Sequence, residues 1–325
     1  MKLAGRARAL VLSILGADWL VGRRVEAAAR AGVIPILNFH RIDDDKRSAY
    51  PGIDPAVFDA FVGWLSRHFD ILTIAELDDV MPTRARPVAV LSFDDGYADF
   101  ARIVVPILAR HRVRANQNVI PVSVESGLPP INVMFQDFVG QAPSALLAEA
   151  TLPGIARGTA GGDREALGRR VSTFIKALPI AEQRKLWDGF RSTVDRLDRF
   201  KTTPMMTIAD VRSVAETHEI GAHSYEHATM TAETDAYVAS DMARCRTWFS
   251  DQLGLSPRIY AFPNGAHGSK HVDIAHRAGF DRVLLVDDRL AIRNAVQKTR
   301  LTMYGENLAA LRFRALGGFE IIGSS

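Results

Sequence analysis

The stretch "VAVLSFDDGY", residues 88–97, carries an abrupt change of character. Val88 to Leu91 form an apolar run, and Ser92 and Phe93 extend it. Such a run reads as a strand buried on both faces, as in a parallel sheet. Two adjacent carboxylates, Asp94 and Asp95, end it, and Gly96 follows. Like charges side by side at the end of a buried strand repel each other. Their placement there calls for a nearby cation, or for the two groups to divide a task. Successive side chains on a strand point to opposite faces, so the chain must also bend here for both to serve one site. Gly96 permits such a turn.

Working outward, the same pattern recurs. "VIPILNFH" (33–40), "ANQNVIPV" (115–122), "EIGAH" (219–223), "RIYAFPNG" (258–265) and "DRVLLVD" (281–287) read as further strands. Helical periodicity lies between them. Asp54 before Pro55 is an N-cap with proline at the first helical position, and Phe58, Phe61, Val62 and Leu65 repeat at helix spacing. "TIAE" (73–76) and "TIAD" (207–210) are capping boxes. Ile103, Val104, Ile107 and Leu108 share a helix face, as do Val238, Met242, Cys245 and Phe249. Strand–helix units in series predict an α/β fold with a parallel sheet, open or closed into a barrel.

Residues 128–205 break the rhythm. Leu167, Val171, Phe174, Ile175 and Leu178 fall on one helical face, and Leu186, Phe190, Val194 and Leu197 on another. The block reads as a helical insertion. The expected organisation is a basic, amphipathic segment at 1–32 and one domain at 33–325 interrupted by 128–205.

The totals fit this plan. The chain has 325 residues, 47% hydrophobic and 24% charged, enough for a sizeable core. One cysteine, Cys245, excludes an internal disulfide and a cysteine-rich metal site. Net charge is +3. Residues 1–30 hold six basic residues against two acidic ones, so the remainder is slightly acidic and no nucleic-acid-binding face is indicated. "ALVLSILGA" after Lys2, Arg6 and Arg8 imitates a signal peptide weakly, but is too short to span a bilayer. The reading favours a retained helix lying on the protein or on a membrane surface. A cytoplasmic location follows as the expectation, with peripheral membrane contact through residues 1–30 and export both left open. Oligomeric state has no signature.

Four polar clusters end predicted strands: His40, Asp94 with Asp95, His223 with His227, and Pro263-Asn264-Gly265. In parallel α/β folds that edge carries active sites. His223 and His227 are spaced i, i+4, and on a helical turn both imidazoles would face one way, as two nitrogen ligands to one metal. A carboxylate completes a His₂-carboxylate set with open positions. One aspartate of "FDDG" suits that place, and the other stays free to accept a proton. H-x₃-H pairs and acidic pairs are common by accident, and Asp78-Asp79 and Asp287-Asp288 are examples of the latter. The coincidence at four strand ends is what separates these residues from the background.

The order "LSFDDGY", "EIGAHSYEH", "YAFPNG" resembles the polysaccharide deacetylase family, the NodB-homology carbohydrate esterases. "PILNFHRI" resembles the "YHxI" segment of its exopolysaccharide-modifying branch. The resemblance covers about 33–125 and 205–305. It implies a distorted (β/α) barrel of about seven parallel strands. It implies one divalent metal ion, most often Zn²⁺, held by Asp95, His223 and His227, with Asp94 as general base. The implied reaction is hydrolysis of the N-acetyl group of an amino sugar in a glycan, lipid-linked sugar or sugar precursor. The oxyanion is assigned by similarity to the backbone N–H of Asn264 in the turn begun by Pro263.

Two departures matter. Many members carry an arginine before the proline motif that orients the base, and here Ala261 stands there, leaving Arg41 and Arg300 as candidates. Many have a late histidine that protonates the leaving amine, whereas no histidine follows His276. His40 is the natural replacement. Asn116, Gln117 and Asn118 occupy places usually apolar or aromatic, and fit a sugar pocket or an irregular strand equally well. Deformylation or other amide hydrolysis with the same residues, and a non-catalytic glycan-binding role, stay open alternatives.

Overall fold

The computed structural model describes residues 18–79, 86–156, 162–292 and 295–318. Eleven strands are found among them: β1 (Val33–Ile34), β2 (Ile36–Phe39), β3 (Asp70–Leu72), β4 (Val88–Phe93), β5 (Asn116–Val119), β6 (Glu219–Ala222), β7 (Ile259–Ala261), β8 (Arg282–Leu284), β9 (Ala291–Ile292), β10 (Gln297–Lys298) and β11 (Leu301–Thr302). Nine of them form one sheet with parallel neighbours, in the order β10-β8-β7-β6-β5-β4-β2-β11, and β3 pairs with the start of β4. β1 and β9 make a separate antiparallel pair.

The last strands close the architecture. Gln297 and Lys298 pair with β8, and Leu301 and Thr302 pair with β2. One short segment therefore stitches the two sheet edges together, giving a distorted barrel with Arg300 at the seam.

Strand parity explains the interior. Along β4, Ala89, Leu91 and Phe93 pack outward against the helices, and Phe93 stacks on Phe39 at 5.2 Å between ring centroids. Helix Pro55–His68, capped by the Asp54 side chain on Ala56 N at 2.8 Å, brings Phe58 and Phe61 onto these rings. The alternate residues Val88 and Val90 join Ile36, Ile259, Ala261 and Leu284 in an inner apolar layer. The next inward positions, Ser92 and Asp94, belong to a polar layer with Asn38, Asn116, Asn118 and Arg300, all buried. Gly221 faces this layer from β6, and a Cβ there would collide with the Asn118 amide oxygen. The amides of β5 thus neither line an open sugar pocket nor mark an irregular edge. They are fully enclosed and hydrogen-bonded within the barrel.

Between β5 and β6 the chain forms helices Ile131–Gln141, Ser144–Glu149, Arg164–Lys176 and Ile180–Val194. They share their own apolar core, including Phe135, Phe138, Val171, Ile175 and Phe190. Phe174, expected on the buried face, is 41% exposed. The insertion is seated on the loop after β2: Ala49 N donates to Gln136 O at 3.0 Å. Gly140 and Gly168 leave no room for a Cβ against residues 47–49.

Helix Asp18–Ala31 lies on the protein, with Val25 buried in the core and Arg24 over the Phe313 ring. Residues 1–17, where most of the expected amphipathic segment falls, lie outside the described residues. Among the described residues no helix is long and apolar enough to cross a membrane.

Candidate metal centre

Asp94 continues the inward parity of β4, but Asp95 does not continue the strand. Its φ is +74°, and Gly96 follows at +85°. The bend therefore begins at the second aspartate itself, a conformation that costs an ordinary residue about 1–3 kcal/mol. It swings the Asp95 carboxylate toward β6.

There the two histidines wait, but not on a helical turn. Residues 223–229 form a loop with Ser224 at φ +61° and His227 at φ +60°. The i, i+4 spacing brings the rings together by a tight turn, with centroids 5.2 Å apart. Ligand atoms of Asp95, His223 and His227 all lie within 4.8 Å of one another, and all three residues are buried. Asp95 Oδ1 is 3.2 Å from His223 Nε2 and 3.5 Å from His227 Nε2. Among the described residues that oxygen has no hydrogen-bond partner, and a buried carboxylate oxygen is rarely left so.

His223 Nδ1 lies 2.9 Å from the carbonyl of Ala261, which can only accept. Nδ1 must therefore carry a proton, which leaves Nε2 as the nitrogen that faces Asp95. Burial lowers the His223 pKa, but Asp94 and then Asp95 outweigh it and raise it. Burial pushes His227 down to about 3, so this imidazole is neutral at neutral pH. Two imidazole nitrogens, each able to bind a metal once free of a proton, and a carboxylate with an unused oxygen fit a divalent cation such as zinc.

Asp94 is held differently. Arg300 Nη1 and Nη2 donate to its two oxygens, each at 2.8 Å, and Asn118 Nδ2 donates to Oδ1 at 2.8 Å. The guanidinium is itself fixed by Asn38 Oδ1, Ser92 Oγ and the carbonyl of Leu285. Burial pushes the Asp94 carboxyl up, but Arg300 and then His223 outweigh it and hold it well below the usual carboxylate range. Of the two candidate arginines, Arg300 is the one that reaches the aspartate.

Arg41 points elsewhere. Its Nε lies 3.3 Å from Asp99 Oδ2 and its Nη2 lies 2.7 Å from Asp43 Oδ2, bracing the loop after β2. Burial outweighs Arg41 and pushes Asp99 up to about 7. The unfolded chain releases this proton near ~4, so across that interval the folded form binds more protons. Stability should therefore fall as pH rises from about 4 to about 7 and level off above. Asp99→Asn should flatten that fall, as denaturant titrations at the two ends of the window would show.

His40 ends β2, with its ring edge-on to Tyr50 at 6.5 Å. Burial lowers its pKa, while Asp95 and Asp94 pull the other way. Pro263 is buried, and Asn264 sits at φ +59°. The backbone bonds of this turn use the N–H groups of Gly265 and Ala266, not that of Asn264. Asn264 Nδ2 donates to Thr229 Oγ1 at 2.9 Å, tying the proline turn to the histidine loop.

One further residue holds the loop. Asp241 Oδ2 accepts from Ser224 Oγ and Tyr225 N, both at 2.9 Å, and Oδ1 accepts from Tyr260 OH at 3.1 Å. Ser224 Oγ in turn accepts from Ala228 N at 3.1 Å. The sequence held a signal for it: Asp241 falls on the same helix face as Val238, Met242 and Cys245, a carboxylate among apolar residues. Asp241→Ala should cost about 10–100-fold in zinc affinity while sparing Asp94, as competition with a chromophoric chelator would reveal.

Residues 206–283 match the family model described as polysaccharide deacetylase. No curated protein matches the sequence. Among solved structures, the chain is similar to the Streptococcus pyogenes deacetylase PplD, at 16% identity and TM-score 0.58, over 89% of this chain and 99% of that one. It is similar to IcaB from Ammonifex degensii, at 14% identity and TM-score 0.55, over 88% and 97%. It is also similar to the BpsB deacetylase domain of Bordetella bronchiseptica, at 16% identity and TM-score 0.51, over 85% and 97%. At these identities the likeness is one of fold. The segment 206–283, which contains both histidines and the proline turn, is thus similar to the polysaccharide deacetylase family, and the barrel around it has the fold of these deacetylase structures.

Proposed function

We propose that this chain is a metal-dependent N-deacetylase acting on an amino sugar of a glycan, lipid-linked sugar or sugar precursor. The observation that carries the reading is the orphaned Asp95 oxygen between two histidines, beside a second carboxylate held by a bidentate arginine. The family match supports a glycan amide as substrate. The PplD structure is described as a complex with acetate, which supports acetyl as the group removed.

Asp95, His223 and His227 would hold the ion, and zinc suits their nitrogen and oxygen donors. Bound there, a divalent ion acidifies water and polarises an acyl oxygen. Asp94 accepts the proton of the attacking water. Arg300 keeps it ionised and aimed, and weakens it as a base, which water of lowered pKa offsets. The Asn264 N–H donates to the oxygen of the attacked carbonyl, a contribution on the order of 3–4 kcal/mol for such a donor. His40 is neutral at rest because burial lowers its pKa. Its role is that of a relay: it takes up the proton that Asp94 removed from water and gives one to the leaving nitrogen, so Asp94 and His40 both end as they began.

The test is acetate release from N-acetylated sugars by zinc-loaded protein, with N-formyl and longer acyl amides alongside. Acetate release that is lost in His223→Ala supports the reading. Turnover unaffected by His223→Ala and Asp94→Asn overturns it, and glycan binding with no hydrolysis under zinc-replete conditions leaves only a binding role.

A further inference from the structure

Asn116 and Asn118 stand on β5 at places where apolar or aromatic residues are usual, and both are wholly buried. A buried amide costs free energy unless its hydrogen bonds are made, so what these two bond to decides what they are for. An ionised Asp94 can only accept, and this fixes the bonds around it in one direction. Asn118 Nδ2 donates to Asp94 Oδ1 at 2.8 Å, so Asn118 Oδ1 is left to accept from Asn116 Nδ2, at 3.1 Å. Asn116 Oδ1 then accepts from Ser92 Oγ at 2.8 Å, and Ser92 Oγ accepts from Arg300 Nη1 at 3.1 Å. The circuit leaves Arg300, passes through Ser92, Asn116 and Asn118, and ends on the carboxylate oxygen that Arg300 Nη1 also holds directly.

This makes the two oxygens of Asp94 unequal. A carboxylate offers about four lone-pair sites, shared equally between its oxygens. Oδ1 takes two donors, Arg300 Nη1 and Asn118 Nδ2. Among the described residues Oδ2 takes one, Arg300 Nη2 at 2.8 Å. The open site is thus on Oδ2, which lies 4.0 Å from His223 Nε2, the nitrogen that Asp95 Oδ1 also faces. With the arginine alone, each oxygen would keep an open site, and a proton taken on Oδ1 would lie among buried amides. Gly221 makes room for the arrangement, since a Cβ there would strike Asn118 Oδ1.

Resting on the deacetylase reading above, we propose that Asn118 is a positioning residue that closes Asp94 Oδ1, so that Oδ2 alone accepts the proton of the attacking water. Ser92 and Asn116 hold the Asn118 amide in the one orientation that does this. One O–H bond of water breaks, its proton goes to Oδ2, and the freed electron pair forms the bond from the water oxygen to the acyl carbon. The proton then passes from Oδ2 to His40, which gives one to the leaving nitrogen.

Zinc-loaded full-length protein carrying Asn118→Leu is assayed on N-acetylglucosamine and its short oligomers. kcat should fall about tenfold or more, the scale of one hydrogen bond to a charged group, with KM and zinc affinity unchanged. In the Asp94→Asn background the same change should cost nothing further, because Asn118 acts through that carboxylate. Gly221→Ala removes no polar group but crowds the Asn118 oxygen, and should reproduce the loss in kcat; it serves as the second variant if Asn118→Leu does not fold. An unchanged kcat, a loss that adds in full to that of Asp94→Asn, or an equal loss in zinc affinity overturns the proposal.

Neutron diffraction from zinc-loaded crystals of the parent chain in D₂O reads the same point without turnover. Deuterium on Asn118 Nδ2 directed at Oδ1, and an ordered water directing its deuterium at Oδ2, are the expected result. An amide turned the other way, or no water on Oδ2, overturns the assignment. If no sugar releases acetate, the deacetylase reading falls, and this map still decides which oxygen Asn118 closes.

Discussion

Arg300→Met should lower turnover by about 10²–10⁴, the usual range for loss of a positioned general base, with zinc content unchanged. The guanidinium is wholly buried and makes two 2.8 Å bonds to Asp94. Without it, the effect that Arg300 now overrides takes control: burial raises the Asp94 carboxyl toward the range in which it is protonated at working pH. The acid limb of the pH–rate profile should therefore move to higher pH, and part of the lost rate should return as pH is raised. Breaking a buried pair also costs about 3–5 kcal/mol of stability, so the variant should melt earlier. Arg300→Lys keeps the charge but not the fork, and should fall between the two in rate. An unchanged acid limb in Arg300→Met would mean that Asp94 does not depend on this arginine.

The history of Arg300 shows what the sequence could and could not disclose. Asp94 and Arg300 are 206 positions apart. The motif order named the aspartates and histidines because each ends a strand, and strand ends are visible as apolar runs giving way to polar residues. Two-residue parity put Asp94 on one face with Val88, Val90 and Ser92, but which face turns inward is seen only in the folded barrel. The arginine that holds it depends on how the barrel closes. Nothing in the short runs Gln297–Lys298 and Leu301–Thr302 says that one pairs with β8 and the other with β2. The buried amides of β5 were ambiguous for the same reason, since their partners Ser92 and Asp94 lie on another strand. Conversely, the H-x₃-H spacing suggested a helix that is not there. A turn with two left-handed residues places the rings equally well, and its stabilising contact, Asp241, arrives from a helix further along the chain.

The adjacent aspartates should separate cleanly when replaced one at a time. Asp95→Asn should abolish stoichiometric zinc binding, since it removes the only carboxylate of the cluster. Asp94→Asn should retain zinc and lose about 10²–10⁴ in rate. Stability without metal should rank the other way. In Asp94→Asn an amide replaces a carboxylate that satisfied a bidentate guanidinium, leaving Arg300 buried and uncompensated at a cost of about 3–5 kcal/mol. Asp95→Asn strands no such partner: among the described residues its Oδ1 accepts no hydrogen bond, and asparagine tolerates the left-handed backbone at φ +74°. Zinc present at 1,000 times its dissociation constant adds about 4 kcal/mol to a chain that binds it. Melting with and without zinc should therefore show a crossover. Asp94→Asn begins less stable and gains from zinc, whereas Asp95→Asn begins closer to the parent chain and gains nothing. If both variants lose the zinc-dependent shift together, the two carboxylates share the metal, and the division between one ligand and one base is wrong. If neither loses it, the ion is held elsewhere, and the unused oxygen of Asp95 needs a different partner.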